Sequence, residues 1–350
     1  MRQTILALRV AACFLLLSGC ALMPTEKTEP ESTEHLYDGK PKVLFDAEKK
    51  AESSDEAMRL GDQALQVGDT DRALYHYISA YELDPEQHLA LNQVGIIHSQ
   101  KGSIVRADLA FNMALKIEPD DADTLMHLGL IKLRARQHAQ AQEYLRKAIA
   151  QNDQLWQAHN GLGVLADLGH NFELARHYYE TALLLNPTSP VLLNNFGYSK
   201  YLAGDWGGAE KQYTRALDED IRYAQAWRNL GLIYVRRGAY VDALAALEKV
   251  MERPNAYERV GALALMEGKY DIAEYFLNMA IDLSPAYYKD AYDELEKLVA
   301  LRSRARGNEI GLVQAPGPDD GIGFPTRDLQ QTGSQEHELY NADHTLRITP

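Results

Sequence analysis

The sequence predicts an all-α fold, a solenoid of about seven helix-turn-helix repeats closed by a C-terminal capping helix. Three observations predict it. A glycine is followed twelve residues later by an alanine seven times, at Gly61 and Ala73, Gly95 and Ala107, Gly129 and Ala141, Gly163 and Ala175, Gly197 and Ala209, Gly231 and Ala243, and Gly261 and Ala273. The first six of these pairs keep a period of 34 residues without a gap. After the last pair, Ala291, Leu295, Leu298 and Leu301 recur at helical spacing. A fixed period of this length marks arrays in which each unit buries its apolar face only against its neighbours.

The expected units are residues 54–87, 88–121, 122–155, 156–189, 190–223, 224–253 and 254–287, and the capping helix 288–304. Counting from each unit's first residue, glycine stands at position 8 and alanine at 20, where the two helices of a pair approach most closely and a larger side chain would force them apart. Position 24 is a large knob, Tyr77, Phe111, Leu145, Tyr179, Tyr213, Leu247 or Leu277, expected to fill the space toward the neighbouring pair. Pro85, Pro119, Pro187 and Pro285 close second helices. The register breaks by four residues around Arg253-Pro254.

The pattern resembles the tetratricopeptide repeat (TPR), which puts these residue types at these positions. That resemblance implies a protein-binding groove lined by the first helix of each pair, mostly through positions 2, 5, 9 and 12. Those positions hold Asn92, Asn160, Asn194, Tyr198, Tyr201 and Arg228, with Asn195 beside them. Amides can bond a peptide backbone, and tyrosines add apolar area with a polar tip. Ile96, Met126, Leu130, Val164 and Leu232 give the groove apolar character suited to an amphipathic helix. The alternative for each residue is contact with a neighbouring repeat. The TPR clamp of heat-shock-chaperone adaptors has lysine and asparagine where Met58 and Asp62 stand, which argues against that role.

Before the array, Arg2 and Arg9 form a positive region ahead of an apolar stretch, Val10 to Leu17, too short to span a bilayer. It ends in Leu17-Ser18-Gly19-Cys20, which resembles the bacterial lipobox. The resemblance implies removal of a signal peptide, residues 1–19, and acylation of Cys20, whose lipid chains (palmitate among them) would anchor the protein. Ala21, where an Asp would retain a lipoprotein in the inner membrane, implies the outer membrane, with the folded part facing the periplasm. Residues 20–53 are rich in Glu, Lys, Thr and Pro and read as the acylated cysteine and a flexible tether. Residues 305–350, rich in Gly, Pro, Asp and Gln, read as a disordered tail.

Composition narrows function. A formal net charge of −14 over 350 residues disfavours nucleic acid as a partner. The nearest basic cluster, Arg302, Arg304 and Arg306, suits the end of a helix facing its own dipole. The two cysteines, Cys13 and Cys20, make no disulfide framework. The eleven histidines are scattered, and no His-Glu-x-x-His, Gly-x-Ser-x-Gly or P-loop pattern occurs. No enzyme activity, cofactor, metal or small-molecule substrate is expected.

The stretch from Asn194 to Asp205, Asn-Asn-Phe-Gly-Tyr-Ser-Lys-Tyr-Leu-Ala-Gly-Asp, resembles the Flp/Tad pilus assembly lipoprotein, as does Trp227-Arg228-Asn229-Leu230-Gly231-Leu232. The role implied is binding of a secretin or another pilus or secretion component during assembly. The type IV pilus pilotin is a related reading, although its segment carries a cysteine where this chain has Tyr198-Ser199-Lys200. A third reading is an adaptor for periplasmic proteases or peptidoglycan hydrolases.

Overall fold

The computed structural model describes residues 33–39 and 50–312. Cys20, the leader 1–19, much of the expected tether and the tail beyond 312 lie outside the described residues. The described chain contains fifteen α-helices, numbered here in chain order. Six pairs follow one another: α1 (Ser54–Gln66) and α2 (Thr70–Leu83), α3 (His88–Gln100) and α4 (Ile104–Ile117), α5 (Ala122–Arg134) and α6 (His138–Gln151), α7 (Trp156–Leu168) and α8 (Phe172–Leu185), α9 (Pro190–Leu202) and α10 (Trp206–Glu219), α11 (Ala224–Arg237) and α12 (Tyr240–Leu247). The seventh pair is α13 (Arg253–Met266) and α14 (Tyr270–Leu283), and α15 (Lys289–Leu312) follows. This is the all-α solenoid the repeats predict.

The pairing follows from side-chain size. Position-20 alanines such as Ala73, Ala141 and Ala209 are fully buried. The position-24 knob lies directly over the position-8 glycine of its own pair. A Cβ on Gly95 would stand 2.5 Å from the Phe111 ring, and one on Gly197 2.6 Å from Tyr213. The knob thus packs first within its own pair, because the missing glycine side chain leaves its socket there, and it also reaches the next pair as expected: the Tyr179 ring lies 5.6 Å from that of Phe196. Side-chain caps start several helices: Ser53 accepts from Glu56 N, Asp121 from Thr124 N and Ser189 from Leu192 N.

Every turn inside a pair places position 15 in the left-handed region. Gly68, Gly102, Gly204, Gly238 and Gly268 take φ between 68° and 82° there. Units three and four place Arg136 (φ 58°) and His170 (φ 54°) in the same conformation.

Three boundaries differ from expectation. The four residues missing from unit six are lost from its second helix: α12 has 8 residues where α10 has 14. Pro254 in the first turn of α13 then restarts the register. The capping helix runs on to Leu312 instead of stopping at residue 304. It packs Ala291 and Leu298 into the core, while Arg302 reaches Glu274 and Asp271 of α14. That arginine is therefore an interhelix ion pair and not a charge at a helix end.

The third difference is in the expected tether. Residues 33–39 are docked on the array. A short 3-10 turn, Glu34–Leu36, buries Leu36 completely in the cluster that holds Leu74, Ile78, Ala110 and Met113. One leucine with flanking hydrogen bonds suffices to order a segment that looks too polar to fold.

Candidate protein-binding cleft

First helices stack side by side along the array, and their polar residues decide which face is open. In units four to six the asparagines face one another. Asn195 Nδ2 donates to Asn160 Oδ1 at 3.1 Å, and Asn229 Nδ2 donates to Asn194 Oδ1 at 2.9 Å. Position 6 of one unit thus bonds position 5 of the unit before. Asn160, Asn194 and Asn229 are each 1–2% exposed, so these amides tie neighbouring first helices and do not present themselves to an occupant. Asn92 is also buried, at 4%, and its Oδ1 has no hydrogen-bond partner among the described residues. The residue that would complete its rung is His127, which instead stacks on Phe111 with centroids 5.7 Å apart. Burial holds the His127 imidazole below its usual range.

Asn92, Asn160 and Asn194 are therefore corrected from groove residues to seam residues, and Met126, Leu130 and Val164 likewise belong to the core. The cause is shared. Position 5 sits where adjacent first helices meet, and a short side chain there is covered by the neighbour. Asn229 is the partner that groove positions alone do not point to, and its signal in the sequence is an asparagine recurring 35 residues after Asn194.

Farther along, the inner face opens. A cleft of about 430 Å³ is walled by Tyr198 and Tyr201 of α9, Leu232 of α11, Arg259 and Met266 of α13, and Lys297 and Leu301 of α15. The Tyr198 and Tyr201 rings stack with centroids 5.9 Å apart and 17° between planes. Tyr201 is buried and forms the back wall, while Tyr198 is half-buried at the rim. Arg236 fixes that wall. Its guanidinium lies 5.0 Å from the Tyr201 centroid and 5.5 Å from that of Trp206, and it reaches Glu267 with Nε at 2.7 Å and Nη2 at 2.6 Å. A planar fork can stack and pair at once, which a lysine could not do. Glu258, Glu267 and Glu294 sit among Arg259 and Lys297, so the cleft is mixed in charge. Asn195 and Arg228 are half-buried on the same inner face but do not line the cleft.

One buried carboxyl stands at the centre of the array. Asp167 accepts from Tyr179 Oη at 2.9 Å and from Ser199 Oγ at 2.7 Å. Burial pushes it up to about 6, although both hydroxyls favour the ionised form. Among the described residues no group of three or more His, Cys, Asp or Glu side chains comes together as a metal site.

Residues 127–190 and 194–256 match the tetratricopeptide repeat family model. A tetratricopeptide repeat-containing protein of Caenorhabditis elegans is 25% identical over 223 residues, 62% of this chain and 28% of that one. The BBSome complex member BBS4 of Xenopus tropicalis is 32% identical over 147 residues, 41% of this chain and 28% of that one. A TPR repeat-containing protein of Methanocaldococcus jannaschii is 22% identical, covering 76% of this chain and 49% of that one. The chain thus spans at most about half the length of these relatives. Among solved structures, a tetratricopeptide repeat protein from Parabacteroides merdae superposes with a TM-score of 0.52 at 17% identity, over 71% of this chain and all of that one. The APC/C Cut9–Hcn1 assembly gives 0.53 at 19% identity, over 70% of this chain and 52% of that one. The array is a tetratricopeptide-repeat solenoid.

Proposed function

We propose that this repeat scaffold is anchored to the outer membrane through Cys20 and binds a protein partner in its inner cleft during assembly of a Flp/Tad-type pilus or secretion apparatus. The observation that carries the binding reading is the cleft itself. Its walls come from three successive first helices and the capping helix, with an aromatic pair braced from behind by Arg236. A rigid aromatic wall with a mixed-charge rim is the composition of a binding hot spot. Its length along the array suits a helical or extended segment of a secretin or similar component. The lipobox and Ala21 support the address, and the Asn194 to Asp205 stretch supports the pilus role.

The test compares the wild type with the double variant Tyr198→Ala, Lys297→Glu, with helix content checked by circular dichroism. Loss of a rim anchor and reversal of a rim charge should weaken partner binding by about 2–4 kcal/mol. Pulldown from membranes should then lose the secretin or pilus component, and secretin assembly in cells should fail. Retention of the same partners by the folded variant sinks the cleft assignment. Loss of a protease or peptidoglycan hydrolase, with secretins still assembling, replaces the pilus role with the adaptor role.

A further inference from the structure

The docked segment 33–39 lies far along the chain from the cleft, against the seam of the second helices α2 and α4 and the C-terminal end of α3. It spans α2 from near its C-terminus, where Thr33 Oγ1 donates to Glu82 Oε1 at 2.6 Å. Near the N-terminus of α2, Lys101 bridges Asp38 at 2.8 Å and Asp71 at 3.6 Å. Between these ends Leu36 is fully buried, and its carbonyl accepts from buried His98 Nε2 at 2.7 Å. Arg106 closes the site, with Nε on the His35 carbonyl at 3.2 Å and Nη1 on Asp38 at 3.3 Å. Burial alone would raise the Asp38 carboxyl, but the Lys101 hydrogen bond and the charges of His98, Lys101 and Arg106 hold it below the usual carboxylate range.

The set is particular to this seam. One unit on, the positions of His98, Lys101 and Arg106 are taken by Lys132, Ala135 and Gln140, and two units on by Ala166, Gly169 and Leu174. The array thus repeats its core but places a leucine socket, a carbonyl donor and a carboxylate fork only once. Backbone recognition, one apolar pocket and a charge pair at fixed spacing are what a short linear motif requires.

We propose that the α2–α4 seam is a second peptide-binding site, which takes a partner segment with a leucine followed two residues later by a carboxylate. Residues 33–39 are its resident competitor. Because the competitor is tethered, its effective concentration is in the millimolar range for a short linker, and an incoming segment must exceed that. The seam then answers only to a partner that binds tightly or in many copies. This site does not depend on the inner cleft or on its proposed partner.

The probe is a fluorescein-labelled peptide of residues 32–40. In the full-length chain, Leu36→Asp removes the resident leucine and leaves the seam residues intact. The probe should bind this variant at least tenfold more tightly than the wild type, by fluorescence anisotropy. Adding Lys101→Glu, or replacing the probe's leucine by alanine, should abolish binding. In the wild type, unlabelled peptide in excess should displace the segment and speed chymotryptic cleavage after Tyr37 severalfold. That measurement needs no variant. Equal probe affinity for wild type and Leu36→Asp, or cleavage indifferent to added peptide, overturns the proposal. A Leu36→Asp chain whose first two units unfold would make the segment a structural cap and overturn it too. So would dimerisation of the intact chain by exchange of the segment, since the occupant would then be a second copy.

Discussion

The two ends of the array treat their exposed seams in opposite ways. At the N-terminal end the seam between α2 and α4 is filled by the chain's own residues 33–39, with Leu36 wholly buried. At the C-terminal end the inner face is left open between α9, α11, α13 and α15, with the braced Tyr201 at its back and the half-buried Tyr198 at its rim. The repeat core is the same at both ends, a glycine beneath a large knob. Specificity therefore lies in the departures from the repeat: a histidine–lysine–arginine set at one end, and a shortened α12 followed by a long last helix at the other. A quasi-one-dimensional fold can vary each seam separately because each unit touches only its neighbours.

The largest effect that would sharpen the comparison concerns the bond between a tyrosine knob and a carboxylate. At the N-terminal end Tyr77 Oη donates to Asp62, which is exposed. In the middle Tyr179 Oη donates to Asp167, which is 6% exposed. Asp167 stands raised to about 6 from 3.8 because burial penalises its charge. A raised carboxyl favours the folded state while protonated. That stability is complete below about pH 4 and is lost as pH rises through about 6, to a limit of about 3 kcal/mol. Asp167→Asn should remove this loss. Its melting temperature should exceed that of the wild type at pH 7.5, and the advantage should shrink or reverse at pH 4. Asp62→Asn should stay within about 0.5 kcal/mol of the wild type, as exposed substitutions do. A wild-type melting temperature flat from pH 4 to 7 would show that Asp167 is not desolvated as described.

A smaller effect separates the closed rungs of the asparagine ladder from the broken one. Asn194→Ala strands the Asn229 Nδ2 donor at a site 2% exposed, at a cost of about 1–3 kcal/mol. Asn92→Ala removes an oxygen that already lacks a partner among the described residues, so it should cost about 1 kcal/mol less. Urea midpoints of the two variants, read with the same probe, decide this. Equal losses would mean the ladder contributes nothing beyond packing.

The ladder also marks where sequence reading stops. Gly at position 8, Ala at 20 and the knob at 24 are visible from spacing alone, because helix period and chain connectivity bring them together in every unit. First helices accordingly begin at Ser54, His88, Ala122, Trp156, Pro190 and Ala224. Whether a position-5 asparagine faces the groove or the next helix depends on the rotation between successive pairs and on what the next unit offers at position 6. Neither is written in one repeat. Of the expected groove set, Tyr198 and Tyr201 reach the cleft, while Asn92, Asn160 and Asn194 do not. The docked segment has one large aliphatic residue and no periodicity. Its trace lay on the receiving side, where His98, Lys101 and Arg106 depart from the other units.

The smallest effect concerns the turns inside the pairs. Units one, two, five, six and seven put glycine at position 15 with positive φ, whereas units three and four put Arg136 and His170 there. A side chain in the left-handed region crowds its own carbonyl, a cost of about 1–2 kcal/mol, which glycine avoids. Glycine in turn loses more chain entropy on folding, so the net gain from His170→Gly should be about 1 kcal/mol. The exchange should not break a backbone bond, since His170 N–H donates to Asp167 O at 2.9 Å and a glycine amide can do the same. It does remove an edge contact between the His170 and Phe172 rings, whose centroids are 6.0 Å apart, a term smaller than the strain on an exposed turn. For a repeat region of this size, 1 kcal/mol corresponds to about 2–4 °C in melting temperature. His170→Gly and Arg136→Gly should each raise the midpoint by that amount, and Gly204→Ala in unit five should lower it by a similar one. A destabilised His170→Gly would mean that the side chain, and not the backbone, holds the turn of unit four.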